Sequence, residues 1–510
     1  HNMTTAADDL IFGLTRLVDL PGLTNAAGAP LSADDIAQIV NEANRFCTEA
    51  LQPKAQEADK QGARYANGTV TTPAHYPALY DQWREGGWQG LAAPAEHGGQ
   101  GLPLSLWTAM VELGMAADTS FMLGPLLSAG AIDLLRHYAT PDQAARWLPP
   151  MIAGEWTGAM CLTEPQAGSD LGVLRTRAEP LGNGRYALHG QKIFITWGEH
   201  DCAGNILHLV LARLPDAPPG SRGISLFAAP KILPDGARNA FRCGGIERKM
   251  GIHGSPTCIM LYEGAEAEMV GEPNRGLQAM FAMMNNARLG VGTQGVAHGA
   301  AALRLAEAYA AQRVQGRKPD GSAAVLTDHP DVRRMLDEMQ ARTHLARALA
   351  HSAVVALERA EASALVDALT PVLKYSCTEA ASRVADMGIQ VLGGYGYLKE
   401  YGIEQIARDA RITRIYEGAS GIHALTLAGR GAQGAQGAAL ADLLSHAPEA
   451  AALWEEGRAA LTDPAAQAQD FMALTEWALF HVLAPRLRAQ PAVARFMARE
   501  APMGPCIWRD

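Results

Sequence analysis

Between residues 159 and 270 the chain changes its hydrophobic rhythm, and that change bounds the fold more tightly than any other feature. Four short runs rich in β-forming residues fall there, "GNGRYALHGQKIFIT", "ILHLVLARL", "GISLFAAP" and "TCIMLYEG", separated by Gly, Pro and Asp. Runs of this length between turn residues predict strands, and Asn183-Gly184 predicts a hairpin turn. Together they predict a small antiparallel β domain.

Both flanks read as helix. "SADDIAQIVNEANRFCTEAL" offers Ser32 as N-cap with Asp35 three residues on, and sets Ile36, Ile39, Val40, Ala43 and Phe46 on one face. "HPDVRRMLDEMQARTHLARALAHSAVV" repeats Val332, Met335, Leu336, Met339, Ala346, Leu349 and Ala353 at the helical period. "TPVLKYSCTEAASRVADMGIQVLGG" predicts a helix capped by Thr370, opened by Pro371 and stopped at Gly393-Gly394. "GRGAQGAQGAALADLL", from 429, predicts a Gly/Ala/Gln linker into a last helical piece. The class is α+β, in four segments: a helical N-terminal domain at 1–158, an antiparallel β domain at 159–270, a four-helix bundle at 271–430 and a helical extension at 431–510.

A chain of 510 residues exceeds one compact core, and 48% apolar content with only 6% aromatics suits closely packed helices. Lysine and arginine total 43 against 53 acids, a formal charge of -10, and from 431 onward six arginines meet nine acids, net -3. No cationic field for nucleic acid is expected. Seven scattered cysteines, without a C-x-x-C, predict a reducing cytoplasm and no metal centre. The opening "HNMTTAADD" predicts neither a secretory signal nor an anchor, with His1 and Asn2 read as an appended scar before Met3. No run approaches the ~18 apolar residues of a membrane span.

Chemistry concentrates in three motifs: "CLTEPQAGSDLG" at 161–172, "QVLGGYGYLKEYGIEQIARDARI" at 390–412 and "IYEGASGI" at 415–422. In the last, a single acid, Glu417, lies among Ile412, Ile415, Ile422, Leu425 and Leu427, which read as bound for an interior. With "KIFITWG" at 192–198 and "PAEHGGQGLP" at 94–103, the order, spacing and wording of these motifs resemble the acyl-CoA dehydrogenase family over about residues 30 to 430. "ERKMGIHGSPTC", "NNARLGVGTQGV", "QRVQGR" and "YEGASGIHALTLAGR" look closest to its 3-methylmercaptopropionyl-CoA dehydrogenase type, which also carries a C-terminal helical extension.

The resemblance implies FAD-dependent oxidation of a short- or medium-chain acyl-CoA thioester, 3-methylthiopropionyl-CoA among the candidates, to the trans-2-enoyl thioester. Electrons would pass to an electron-transferring flavoprotein from a cytoplasmic homodimer or dimer of dimers. An α-proton beside a thioester is a weak acid, so its base works best in a dry pocket that raises its pKa. Glu417 matches that base. Tyr416, Gly418, Arg288 and Ser169 match substrate contacts. Leu162, Thr163, Gly168, Ser169, Phe194, Thr196 and Ala419 match FAD contacts, while Arg313, Gln390, Gly393 and Gly394 match those that reach a neighbouring subunit's flavin. Ala419 replaces a common threonine; Gly421, Gln405, Val173 and the phenyl of Phe194 also depart from frequent choices. The alternatives are an acyl-CoA oxidase using dioxygen, a DNA-binding alkylation-response flavoprotein of the same fold, and a flavin-free scaffold.

Overall fold

A computed structural model describes residues 5–359 and 363–500, so His1, Asn2, Met3 and Cys506 lie outside the described residues. The chain gathers into two compact units, one of Thr48–Pro103 and Asp118–Ala287, the other of His1–Cys47, Leu104–Ala117 and Arg288–Asp510.

The first unit is built on a sheet. A hairpin of β1 (Arg64–Ala66) and β2 (Thr69–Thr71) precedes β3 (Trp156–Cys161), β4 (Arg177–Gly182), β5 (Arg185–Thr196), β6 (Asn205–Ala212), β7 (Ser225–Pro230), β8 (Phe241–Ile246) and β9 (Thr257–Val270). The last seven form one sheet in the order β3-β6-β7-β9-β5-β4, with β8 also on β9. Asn183 and Gly184, at φ 55° and 73°, turn β4 into β5 as expected. The expectation of a purely antiparallel domain needs correction, because β3 runs parallel to β6. Three strands of this seven-stranded sheet escaped the sequence reading: β3 ("WTGAMC") is built largely of small residues, β8 ("FRCGGI") carries two glycines, and β4 ("RAEPLG") is mostly exposed. All of β6 is buried, since Leu207, Leu209 and Leu211 join Leu135, Leu148 and Met151 in one core while Ile206, Val210 and Ala212 join Phe227 and Met260 in another. A strand covered on both faces reads as an unbroken apolar run, which is why "ILHLVLA" is so legible.

The second unit is helical. Ser32 caps Ala33–Phe46 through a reciprocal box with Asp35, as expected. Its long elements are the Gly276–Gln312 helix from Arg288 onward, Pro330–Glu358 and Ser363–Leu392, with a small hairpin of β10 (Val314–Arg317) and β11 (Ala323–Val325). Thr370 and Pro371 do not open a helix: they lie inside Ser363–Leu392. The seven residues before them continue the apolar pattern, and the Thr370 hydroxyl turns back to the Val366 carbonyl at 2.6 Å. With Leu369, Val372 and Leu373 all buried, packing outweighs the hydrogen bond that proline removes.

The expected linker is also helical. Leu427–Gly431 and Gly434–Leu444 leave only a short turn, and a Cβ on Gly437 would meet the Ala432 carbonyl oxygen at 2.6 Å. Pro448–Ala459, Pro464–Leu483 and Pro491–Glu500 follow. Trp454, Phe471, Met472 and Leu479 share a continuous core with Leu345, Leu349, Leu369 and Leu373, so the extension is part of the helical unit's interior. Among the described residues, no helix is long and apolar enough to cross a membrane.

Candidate active site

Glu417 stands in the short segment that joins the 3-10 turn Ile412–Arg414 to the Ser420–Thr426 helix. Its backbone is left-handed, φ 57°, and Gly418 follows at φ 94°. For a glutamate that conformation costs about 1–2 kcal/mol, so the surrounding structure must impose it. Two interactions do. The Lys374 ammonium, fully buried in the Ser363–Leu392 helix, donates to the carbonyls of Thr413 and Gly418, both at 2.6 Å. The Tyr416 hydroxyl donates to Oε1 of buried Gln294. A glycine is required at 418 on two counts, its φ and the His423 ring, whose Nε2 would lie 2.7 Å from any added Cβ.

The electrostatics of Glu417 oppose each other. Burial amid dense protein pushes its carboxyl up, and the charges of Lys374 and Arg288 hold it back. Its side chain is nonetheless exposed to solvent, so the expectation of a dry pocket needs correction: protein crowds the carboxylate from one side without sealing it. Lys374 is pushed down by burial to about 8, with Glu417 pulling it the other way. Arg288 is likewise lowered by burial, and its Nε is buried without a hydrogen-bond partner. Burial, then Arg288 and Lys374, lower His423 to about 3, leaving a neutral ring 3.3 Å from the Glu417 carbonyl.

The expectation that all five apolar neighbours turn inward needs correction. Leu427 is fully buried, but Ile415, Ile422 and Leu425 are exposed. The helix after Glu417 buries His423 and Ala424, continued by Leu427 and Ala428, and this leaves Ile422 and Leu425 on its other face. Ala419 is the N-cap of that helix, with cap geometry and no side-chain acceptor to complete it.

Elsewhere in the helical unit, Arg313 lies over the Tyr395 ring at 5.3 Å, which brings it to the Gly393–Tyr397 turn. Gln390, Gly393 and Gly394 are exposed, and a Cβ on either glycine would meet nothing within 4 Å. Only Gly393, at φ 62°, is there for its backbone. A cavity of about 380 Å³ lined by Arg342, Tyr375, Ser376, Glu379, Arg414 and Glu476, among others, excludes Glu417.

In the sheet unit, the register of β5 against β9 slips between Lys192 and Ile195, and Phe194 sits in that bulge at φ 57°. The bulge re-aims the phenyl, which is 60% exposed where a plain strand would have buried it. Thr196 follows on the same strand. The amide of Ile193 donates to the Thr163 carbonyl at 2.8 Å, so Leu162 and Thr163 lie beside the bulge. Gly168 and Ser169 are exposed on the loop beyond.

Sequence reasoning missed what organises that loop. Glu164 accepts from the Arg175 amide at 2.7 Å, the Thr176 amide and hydroxyl at 3.1 and 2.7 Å, and Lys192 Nζ at 2.7 Å, while Lys192 also reaches the Leu162 carbonyl. Burial raises the Glu164 carboxyl, but Lys192 and these donors outweigh it and hold the group at about 2. It also missed Lys374, Gln294 and His423. One signal was available: a lone lysine in the apolar run "PVLKYSC".

Three family models cover most of the chain: "Acyl-CoA dehydrogenase, N-terminal domain" at residues 33–155, "middle domain" at 159–265 and "C-terminal domain" at 274–432. The 3-methylmercaptopropionyl-CoA dehydrogenase of Ruegeria pomeroyi is 45% identical over 440 residues, 83% of this chain and 75% of that protein. The structure of butyryl-CoA dehydrogenase from Megasphaera elsdenii matches with a TM-score of 0.69 at 28% identity, over 78% of this chain and 98% of its own. The structure of Caenorhabditis elegans ACDH-11 in complex with C11-CoA matches in fold at TM-score 0.76 and 20% identity, over 98% of this chain and 90% of its own.

Proposed function

We propose that this chain, which belongs to the acyl-CoA dehydrogenase family, oxidises a short- or medium-chain acyl-CoA to its trans-2-enoyl thioester with Glu417 as the base. The observation that carries this reading is the left-handed Glu417 itself, exposed to solvent, with its carboxyl raised by the protein crowded against it and facing two cations. A base for an α-proton needs both properties. Raising its pKa gives it driving force, and the cations keep enough of it ionised to act.

The chain's own part in the reaction is to hold the thioester and take its proton. One Glu417 carboxylate oxygen accepts the α-proton, and the freed electron pair forms the Cα–Cβ double bond as the β-hydrogen leaves as hydride. Tyr416 and Gly418 would line the acyl group, and Arg288 and Ser169 the CoA side. Bound FAD supplies the two-electron acceptor that no side chain here can provide. The residues fit a flavin dinucleotide: an exposed phenyl on a bulge suits a planar ring, with Thr163, bonded through its carbonyl to Ile193, and Thr196 on either side of that bulge able to offer hydroxyls. Leu162, Thr163, Gly168, Ser169, Phe194, Thr196 and Ala419 would hold it. Arg313, Gln390, Gly393 and Gly394, with open space at both glycines, would reach the flavin of a second copy in a homodimer or dimer of dimers. An electron-transferring flavoprotein would be the electron acceptor, in the cytoplasm.

The identity to the Ruegeria pomeroyi protein supports 3-methylthiopropionyl-CoA or a linear thioester of similar size as substrate. The test is anaerobic titration of the FAD-loaded protein with butanoyl-, 3-methylthiopropionyl-, octanoyl- and palmitoyl-CoA, beside Glu417→Gln. Flavin bleaching by the shorter thioesters, absent in the variant, is expected. Bleaching by palmitoyl-CoA alone would sink the chain-length assignment, and equal bleaching by the variant would remove Glu417 as base.

A further inference from the structure

Lys374 has no exposed surface, and with burial lowering it to about 8 it carries its positive charge at neutral pH and below. Lysine is almost never so buried without a partner, and a methionine would fill the same space without the cost of desolvation. No carboxylate pairs with it within ion-pair distance among the described residues; its hydrogen bonds go to two backbone carbonyls, those of Thr413 and Gly418. These oxygens flank Glu417 on its two sides. One belongs to the short 3-10 turn Ile412–Arg414 and the other to the irregular stretch between that turn and the Ser420–Thr426 helix, on either side of a non-glycine residue that is left-handed.

We propose that Lys374 is a positioning residue for the reaction: from the Ser363–Leu392 helix it clamps the carbonyls of Thr413 and Gly418, fixing the left-handed backbone of Glu417, and its charge acts on the carboxylate. The inference rests on the reading of Glu417 as base. It goes beyond that reading, because it assigns the control of the base to a residue outside the sets proposed above for substrate and flavin.

The groups that face Glu417 are Lys374 from the Ser363–Leu392 helix, Arg288 from the Gly276–Gln312 helix and His423 from the Ser420–Thr426 helix. Those that face Lys374 are Glu417, Arg288 and Glu379. His423 is neutral throughout the working range and Arg288 is charged throughout it, so neither changes its field on Glu417 there. The base must be ionised to act, so kcat/KM rises with pH through the Glu417 titration. With one of two cations removed, that rise must start at higher pH.

The experiment is the pH profile of kcat/KM for FAD-loaded wild type, Lys374→Met and Lys374→Arg, on the best of the four thioesters above. Lys374→Met is expected to move the ascending limb up by roughly one unit, about ten-fold in rate on its acid side. The loss should shrink as the pH rises, and kcat should carry it more than KM. Lys374→Arg keeps the charge and should keep the limb within a few tenths of a unit of wild type. A merely structural role would lower the rate by one factor at every pH and leave the limb unmoved, and that result would overturn the proposal. If Lys374→Met does not fold, the arginine variant decides alone, because a limb displaced as far as a unit with the charge retained contradicts the proposed role. Failure of the wild type to turn over any thioester would instead defeat the reading of Glu417, so the two failures are distinct.

Discussion

Glu417 shows how one residue can be strained and tuned by the same neighbours. Its left-handed backbone is a cost that Lys374 and Gln294 offset by holding the carbonyls and the tyrosine around it. Ala419, next but one along, is less well served: it caps a helix without a side-chain acceptor. Restoring the family's common threonine, Ala419→Thr, is expected to stabilise the protein by about 0.5–1 kcal/mol through a new N-cap bond, seen as a rise in Tm of the flavin-free protein. A lower Tm would mean that the hydroxyl finds no amide there. The acid was legible in the sequence because an isolated charge in a Tyr-Glu-Gly motif stands out. Its control was not legible, because Lys374 lies 39 and 44 residues from the carbonyls it binds.

At the scale of the element, the loop after β3 depends on a buried ion pair more than on its glycines. A Cβ added at Gly168 would meet nothing within 4 Å, so the space there demands no glycine, whereas Glu164 ties the loop to Arg175, Thr176 and Lys192. Glu164→Gln would strand the Lys192 charge in an interior where it has no exposed surface. The expected loss is about 3–5 kcal/mol, and the double variant with Lys192→Met should recover much of it; urea midpoints of the two variants check this. Equal losses in both would mean that the hydrogen bonds, not the charge, hold the loop. The carboxyl's depressed pKa has a defined sign. Its folded value is below its ordinary 4.5, so its contribution is fully present above pH 4.5 and is lost as the pH falls through about 2. The strands on which this loop hangs were visible where β6 and β9 run apolar, and invisible where β3 and β8 are built of small residues.

For the whole molecule, the C-terminal extension is the part most easily misjudged. Its composition suggests an appendage on a flexible linker, yet Trp454 is fully buried, donates to the Thr475 hydroxyl at 2.9 Å and shares a core with the Pro330–Glu358 and Ser363–Leu392 helices. Trp454→Ala is expected to destabilise the entire helical unit by about 3–5 kcal/mol, moving the transition followed by near-ultraviolet circular dichroism and that followed by loss of activity together. Separate transitions, with activity kept after the first, would show that the extension folds on its own.

What the sequence determined by itself is whatever a short stretch can encode: the helical and strand periods, the Ser32 capping box, the Asn183-Gly184 turn and the motifs that mark the family. These depend on neighbours within one or two turns of chain, where side-chain spacing and backbone preference act directly. The tertiary structure alone decided the parallel pairing of β3 with β6, the helical fate of the Gly/Ala/Gln stretch, the bulge that exposes Phe194 and the clamp of Lys374 on the Glu417 segment. Each joins groups far apart in the chain, and the energy that selects them comes from burial and from satisfying buried polar groups, which no local pattern records.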